Sequence, residues 1–240
     1  PDVVVNAAAY TAVDHAETDA EAAFRINAEA PAALARACAA SDALLLHYST
    51  DYVFDGRSRQ PYREDATSAP LGVYGASKWA GEQAIRGSGA RHAILRTAWV
   101  YAAHGKNFLL TMLRLAAQRD ALRVVADQIG APTSAAWIAD ASTQLLQQGV
   151  QSADTWHLVC AGQTSWHGFA QAIVHEAHAL GLLQRLPQVI PISTSDYPTP
   201  AQRPAYSVLD TAKLQHDFSI APPDWQHALR TTLRVLASTR

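Results

Sequence analysis

The sequence predicts an α/β fold in which a mostly parallel sheet carries helices on both faces, with a smaller lobe drawn from the C-terminal half. Three observations carry this. Short apolar runs alternate with longer helical patterns through the first half of the 240 residues. Those runs lack strict period-two alternation, as strands covered on both faces should. After about Leu122 the rhythm breaks into short runs, loops and prolines.

The elements follow in order. A strand over 3–9 starts at Val3-Val4-Val5 and ends in Asn6 and three alanines, and an alanine-rich helix follows over 17–40. Glu17 and Asp19 are placed to favour a helix N-terminus. A strand over 43–48 precedes a helix over 72–86, and a strand over 92–97 precedes a helix over 107–118. Next come a short run at 122–125, a Gly-Ala-Pro loop, a helix over 135–148 and a strand over 156–160. A last helix is predicted over 165–180, with Ser165 as its N-cap. Residues 187–204 hold five prolines; these lack backbone donors and restrict the residues before them, so regular structure cannot run throughout.

Composition narrows the function classes. With 49% hydrophobic and 17% charged residues the chain reads as soluble and globular, and a net charge of −2 argues against a nucleic-acid partner. No apolar run reaches the ~18 residues of a membrane span, and residues 1–10 lack the basic start of a secretory signal. Cys38 and Cys160 stand far apart and in no metal-ligand spacing, which suits buried thiols in a reducing, cytoplasmic setting.

The chemistry gathers at strand ends. Residues 43–48 run into Ser49-Thr50-Asp51, hydroxyls and a carboxylate where open α/β sheets bind ligands. Tyr74 and Lys78, four residues apart, share one helix face. A free phenol ionises near ~10, so it exchanges protons slowly near neutrality unless a neighbour such as Lys78 stabilises the phenolate. A tyrosine beside a solvated lysine is the plain alternative. Asp51 reads equally well as a turn-forming carboxylate, and Trp99 as a pocket wall or as core packing. His175 and His178 read as a solvated helix face. No His-Glu-x-x-His or Gly-x-Ser-x-Gly occurs, so metalloproteases and α/β hydrolases lack their main signatures.

A strand-end hydroxyl followed by Tyr-x-x-x-Lys resembles the short-chain dehydrogenase/reductase superfamily. Seven ordered segments narrow the likeness: VVNAAAYTAVDHAE at 4–17, STDYVFDG at 49–56, YGASKWAGEQ at 74–83, LRTAWVY at 95–101, HGKNF at 104–108, DQIGAPT at 127–133 and RPAYSVLDTAKL at 203–214. Together they resemble the dTDP-4-dehydrorhamnose reductase family almost end to end. The resemblance implies a Rossmann-like doubly wound parallel sheet over 1–160, binding a dinucleotide. It also implies a mainly substrate-binding lobe over 161–240, interleaved with the sheet domain and drawn mostly from 107–127 and 162–214. The chain opens on what resembles a later strand of that sheet, and none of its 12 glycines forms Gly-x-Gly-x-x-Gly or Gly-x-x-Gly-x-x-Gly, so the dinucleotide domain reads as N-terminally incomplete.

The activity implied is reduction of the C4 ketone of dTDP-4-dehydro-L-rhamnose by NADPH or NADH, giving dTDP-L-rhamnose for cell-surface polysaccharide. Tyr74 would protonate the ketone oxygen, Lys78 would lower the phenol's pKa and bind the cofactor ribose, and Thr50 would hydrogen-bond the same oxygen. Ala7, Ala8, Ala9, Thr11 and Val13 would join Tyr74 and Lys78 along the cofactor. Asp51 and Trp99 would meet the sugar. Lys106, Asn107, Gln128, Arg203 and Tyr206 fall in segments resembling those that hold the thymidine diphosphate, with Asn107 and Arg203 singled out, since a guanidinium grips phosphate bidentately. Mg2+ has no indication in the sequence, and a homodimer is compatible with it. The alternatives are a non-catalytic regulatory or binding subunit of the same fold, and an epimerase or dehydratase acting on another nucleotide sugar.

Overall fold

A computed structural model describes residues 1–238. Its main sheet has four strands, β1 (Val3–Asn6), β2 (Leu44–Thr50), β3 (His92–Thr97) and β8 (Asp154–His157), all parallel in the order β1-β2-β3-β8. Leu45 and Ile94 point to one face, where they pack on Ala35, Cys38 and Ile85 from the flanking helices. Leu44, Leu46, Ala93 and Leu95 point to the other, onto Ile138, Ala141 and Leu145 and onto Leu214 and Phe218. Burial on both faces is why these strands show no alternation in sequence.

Helix α1 (Val13–Ala16) comes before the single helix predicted over 17–40, and α2 (Ala20–Phe24) and α3 (Ala30–Ser41) replace that helix. Between α2 and α3 lies a π turn, Arg25–Glu29. It turns buried Asn27 inward, where the side-chain amide holds the Tyr10 N–H (2.8 Å), the Tyr10 carbonyl (3.1 Å) and the Ser77 hydroxyl (3.0 Å). A π turn inserts one residue into the helix ladder, and here that residue clamps the loop after β1 to the next helix. β1 itself stops at Asn6, shorter than the 3–9 expected.

Helix α4 (Val73–Arg86) crosses back to β3, followed by β4 (Val100–Tyr101), α5 (Phe108–Gln118), β5 (Ala121–Val125), β6 (Ile129–Gly130), β7 (Thr133–Ser134) and α6 (Ala135–Gln148). After β8 come β9 (Thr164–Ser165), α7 (Trp166–Ala179), β10 (Gln188–Ile192), α8 (Ala212–Phe218) and α9 (Trp225–Ser238). Ser165 does cap α7, accepting the Gly168 N–H at 3.0 Å. The proline-rich stretch contains β10, which pairs in parallel with β5 and sets Pro191 opposite Val124. A two-stranded ribbon consists of edge strands, where a missing N–H is tolerated. A separate apolar core joins α5, β5, α7 and α9 through Leu109, Met112, Leu122, Phe169, Ile173, Leu229 and Leu233. Both cysteines are buried and free, and no helix among the described residues is long and apolar enough to cross a membrane.

Candidate active site

The site forms where β2 ends. Thr50 closes the strand and caps a short turn, Asp51–Val53, by accepting the Tyr52 N–H at 3.2 Å. Its hydroxyl donates to Asp51 Oδ1 at 3.1 Å and lines the same cavity as the Tyr74 phenol. Tyr74 comes from the first turn of α4. Glu17 Oε1 accepts the Val73 N–H there at 2.9 Å, so Glu17 serves this later helix rather than the helix it precedes. Tyr52 meets Tyr74 edge-on, with centroids 5.5 Å apart.

Burial sets the electrostatics. Loss of hydration pushes the Tyr74 phenol up to about 12, with the Asp51 carboxylate adding to the rise and the Thr50 hydroxyl opposing it. Lys78 was expected to lower that value, yet its amine is hydrogen-bonded to β2. It donates to the Tyr48 carbonyl at 2.6 Å and lies 3.3 Å from His47 Nε2. Desolvation brings the amine down to about 8, against the pull of Glu82 one turn further on. Asp51 is 1% exposed, with Oδ2 making no well-formed hydrogen bond, and burial raises it to about 6 although hydroxyls of Ser207 and Thr50 favour its charge.

A cavity of about 800 Å³ is lined by Ala7, Ala9, Thr11, Val13, Thr50, Asp51, Tyr74, Lys78, Trp99, Lys106 and Arg203. Most of the residues singled out from sequence thus share one space. Ala8 is not on its wall; its N–H is held by Asn6 Oδ1. Asn107 is not either. It caps α5 by accepting the Leu110 N–H at 3.1 Å and donates to the carbonyls of Ala102 and His104, so its polar atoms are spent on bracing the loop. Gln128 lines a neighbouring cavity of about 410 Å³ and donates to Thr194, while Tyr206 donates to Gln163 and lines neither. Arg203 reaches both cavities, its guanidinium held by Asp14 (2.8 and 3.0 Å). Arg119 and Arg123 add positive charge to the smaller cavity.

Trp166 carried no signal in the sequence. Its ring lies flat on Trp99, centroids 3.5 Å apart at 4°, and Phe108 leans on it. Trp99 adopts φ +48°, an unfavourable backbone for a bulky residue, and Gly130 leaves room for the ring where a Cβ would approach to 2.5 Å. The strained residue and the missing side chain together stand the indole on the cavity wall. A slightly larger hollow of about 890 Å³ lies near Trp79, Arg86 and Arg96 and contains none of Thr50, Tyr74 and Lys78. Among the described residues no group of three or more metal-ligating side chains comes together.

Residues 1–238 match the RmlD substrate binding domain family. A dTDP-4-dehydrorhamnose reductase of Burkholderia thailandensis is 49% identical over 99% of this chain and 83% of its own length, and one of Escherichia coli is 44% identical over 100% and 81%. A crystal structure of the reductase from Bacillus anthracis in complex with NADP superposes with a TM-score of 0.92 at 35% identity, over 98% of this chain and 81% of the other. With these matches, and with a strand-end threonine facing Tyr-x-x-x-Lys in a doubly wound sheet, the chain belongs to the dTDP-4-dehydrorhamnose reductase family.

Proposed function

We propose that this chain reduces the C4 ketone of dTDP-4-dehydro-L-rhamnose to the alcohol, giving dTDP-L-rhamnose, with NADPH or NADH as the hydride source. The observation that carries the reading is the meeting of Thr50, Tyr74 and Lys78 at the end of β2 inside one cavity. The residues present suit the nicotinamide and ribose end of such a cofactor. Lys78 offers an amine among buried groups, and Ala7 and Ala9 leave the end of β1 without bulk. When bound, the cofactor supplies the hydride to the ketone carbon.

The protein's own groups handle the oxygen. A phenol raised to about 12 is protonated near neutrality, so Tyr74 holds the proton that the oxygen needs as it gains charge. Thr50, within hydrogen-bond reach of Tyr74, steadies the same oxygen. Lys78 offers positive charge to the phenolate left behind and a donor to the ribose. Trp99, backed by Trp166, presents a flat apolar face to the hexose. Arg203, Arg119 and Arg123 supply cationic groups for the nucleoside diphosphate in the smaller cavity. The free buried thiols Cys38 and Cys160 favour a cytoplasmic setting.

The experiment is the fall in NADPH absorbance on adding dTDP-4-dehydrorhamnose, beside a Tyr74→Phe control. Oxidation at least ~100-fold slower in the control is expected if Tyr74 is the acid. A folded protein that binds the sugar nucleotide and leaves NADPH untouched would instead be a binding relative.

A further inference from the structure

His47 is fully buried in β2, behind Lys78 and away from the cavity wall. The hydrogen bonds around it decide which ring nitrogen carries the proton. Asn6 Oδ1 accepts the Ala8 N–H at 3.2 Å, which turns the Asn6 amide nitrogen toward His47 Nδ1, 3.0 Å away. An amide NH2 only donates, so Nδ1 must accept, and a neutral imidazole then bears its hydrogen on Nε2. Nε2 lies 3.3 Å from Lys78 Nζ. Burial, together with the charge of Lys78, holds the ring well below the usual histidine range and therefore neutral. The opposite tautomer would set a donor against a donor at Asn6, or flip the amide and strand the Ala8 N–H.

Lys78 thus meets two unlike groups in the core. The Tyr48 carbonyl accepts from it at 2.6 Å, and the imidazole N–H points a donor at it. A donor opposes an ammonium but hydrogen-bonds a neutral amine. The other titratable or charged groups around Lys78 are Tyr74 and Glu82 on α4, Asp51 beyond β2, and Arg96 on β3, whose guanidinium Glu82 binds at 2.8 and 3.0 Å. Glu82 favours the ammonium and desolvation opposes it; the imidazole N–H at 3.3 Å adds a donor facing the amine.

We propose that His47 is a positioning residue of the Tyr74–Lys78 pair: locked by Asn6, it presents an Nε2–H that suits Lys78 best when the lysine has given up a proton. A lysine held near its ionisation point can join the proton traffic of Tyr74, whereas one fixed as ammonium supplies charge alone. The role in catalysis rests on the reductase reading; the test does not.

The chain has three lysines, Lys78, Lys106 and Lys213. Isotope-labelled lysine in the whole protein therefore gives three NMR titrations, two of them internal references. In the unaltered protein, ring 15N shifts should show His47 protonated at Nε2 and bare at Nδ1. A hydrogen on Nδ1 overturns the proposal without any variant. His47→Gln brings a carbonyl oxygen within reach of Nζ, and the Lys78 ionisation should rise by about one pH unit, a tenfold change. His47→Asn keeps an acceptor for Asn6, withdraws the donor from Nζ, and should give a smaller rise. A Lys78 titration unmoved in the folded Gln variant also overturns it. These readings concern ionisation and not turnover. The expected shifts in a protein that never oxidises NADPH would sink the reductase reading alone, and turnover with an unmoved Lys78 would sink this one alone.

Discussion

Thr50, Tyr74 and Lys78 were legible because their meaning lies in residue type and short spacing, which any helix or strand end preserves. Their electrostatics were not, because desolvation depends on neighbours distant in sequence. Tyr74 goes up where Lys78 was expected to bring it down, and the partners of Lys78 lie on β2. Trp166 escaped for the same reason, since only the fold lays it on Trp99. Asn107 shows the converse: a residue within a diagnostic segment whose work is capping. Asp51 gives a test at this scale. Its carboxyl is raised from 3.8 to about 6, so the folded state binds the proton more tightly than the unfolded chain does. Stability is then fully present below the unfolded value and falls as pH rises toward 6, by about 3 kcal/mol in all. Asp51→Asn should unfold at higher urea than the parent at pH 8, and the advantage should vanish near pH 4. A constant gap across that range would mean that packing and neutral hydrogen bonding, and not the burial of the charged form, separate the two proteins.

Among the elements α4 does the most positioning, and its existence was plain from sequence while its contacts were not. Gly81 permits the close approach of the π turn, since a Cβ there would lie 2.1 Å from the Asn27 carbonyl oxygen. Alanine normally favours a helix by roughly 1 kcal/mol over glycine. Gly81→Ala should nonetheless lower the melting temperature, because backbone on both sides has to move. The same helix carries Glu82, 0% exposed, which takes hydrogen bonds from Ser49, from Arg86 and from Nε and Nη2 along one edge of the Arg96 guanidinium. Burial raises its pKa, but the Arg96 and Ser49 contacts outweigh that and hold it below the ordinary value. Its contribution is therefore present above the unfolded glutamate pKa and is lost as pH falls through the lower folded value. Glu82→Gln leaves Arg96 uncompensated and should cost about 3–5 kcal/mol in chemical denaturation at pH 7, with the deficit shrinking in acid. The π turn itself had no reading in sequence: an alanine-rich run looks continuous until a buried asparagine needs a different angle.

For the molecule as a whole, the doubly wound sheet was legible from alternating runs, and the β5–β10 ribbon was not, because its strands lie far apart in the chain and one contains a proline. The pairing between Asp14 and Arg203 was equally hidden. It joins α1, just past the end of β1, to the segment after β10, and Arg203 stands where the two cavities meet. Asp14 also accepts the Ala201 N–H at 3.2 Å, while Arg203 donates to Thr199 and to the Ala201 carbonyl, so one carboxylate organises the whole bend. The pair is partly exposed, and its worth to global stability is correspondingly small. Its effect should appear in the fit of the substrate instead. Asp14→Asn keeps the shape and removes the charge that fixes the guanidinium. Amide exchange over 197–204 should quicken, and the KM for the nucleotide sugar should rise about tenfold, some 1.4 kcal/mol of binding, while kcat changes little. An equal loss in kcat with KM unchanged would mean that the strap aligns Tyr74 with the ketone. Unchanged exchange over 197–204 would falsify the strap altogether, because a carboxylate that organises the bend cannot lose its charge without loosening it.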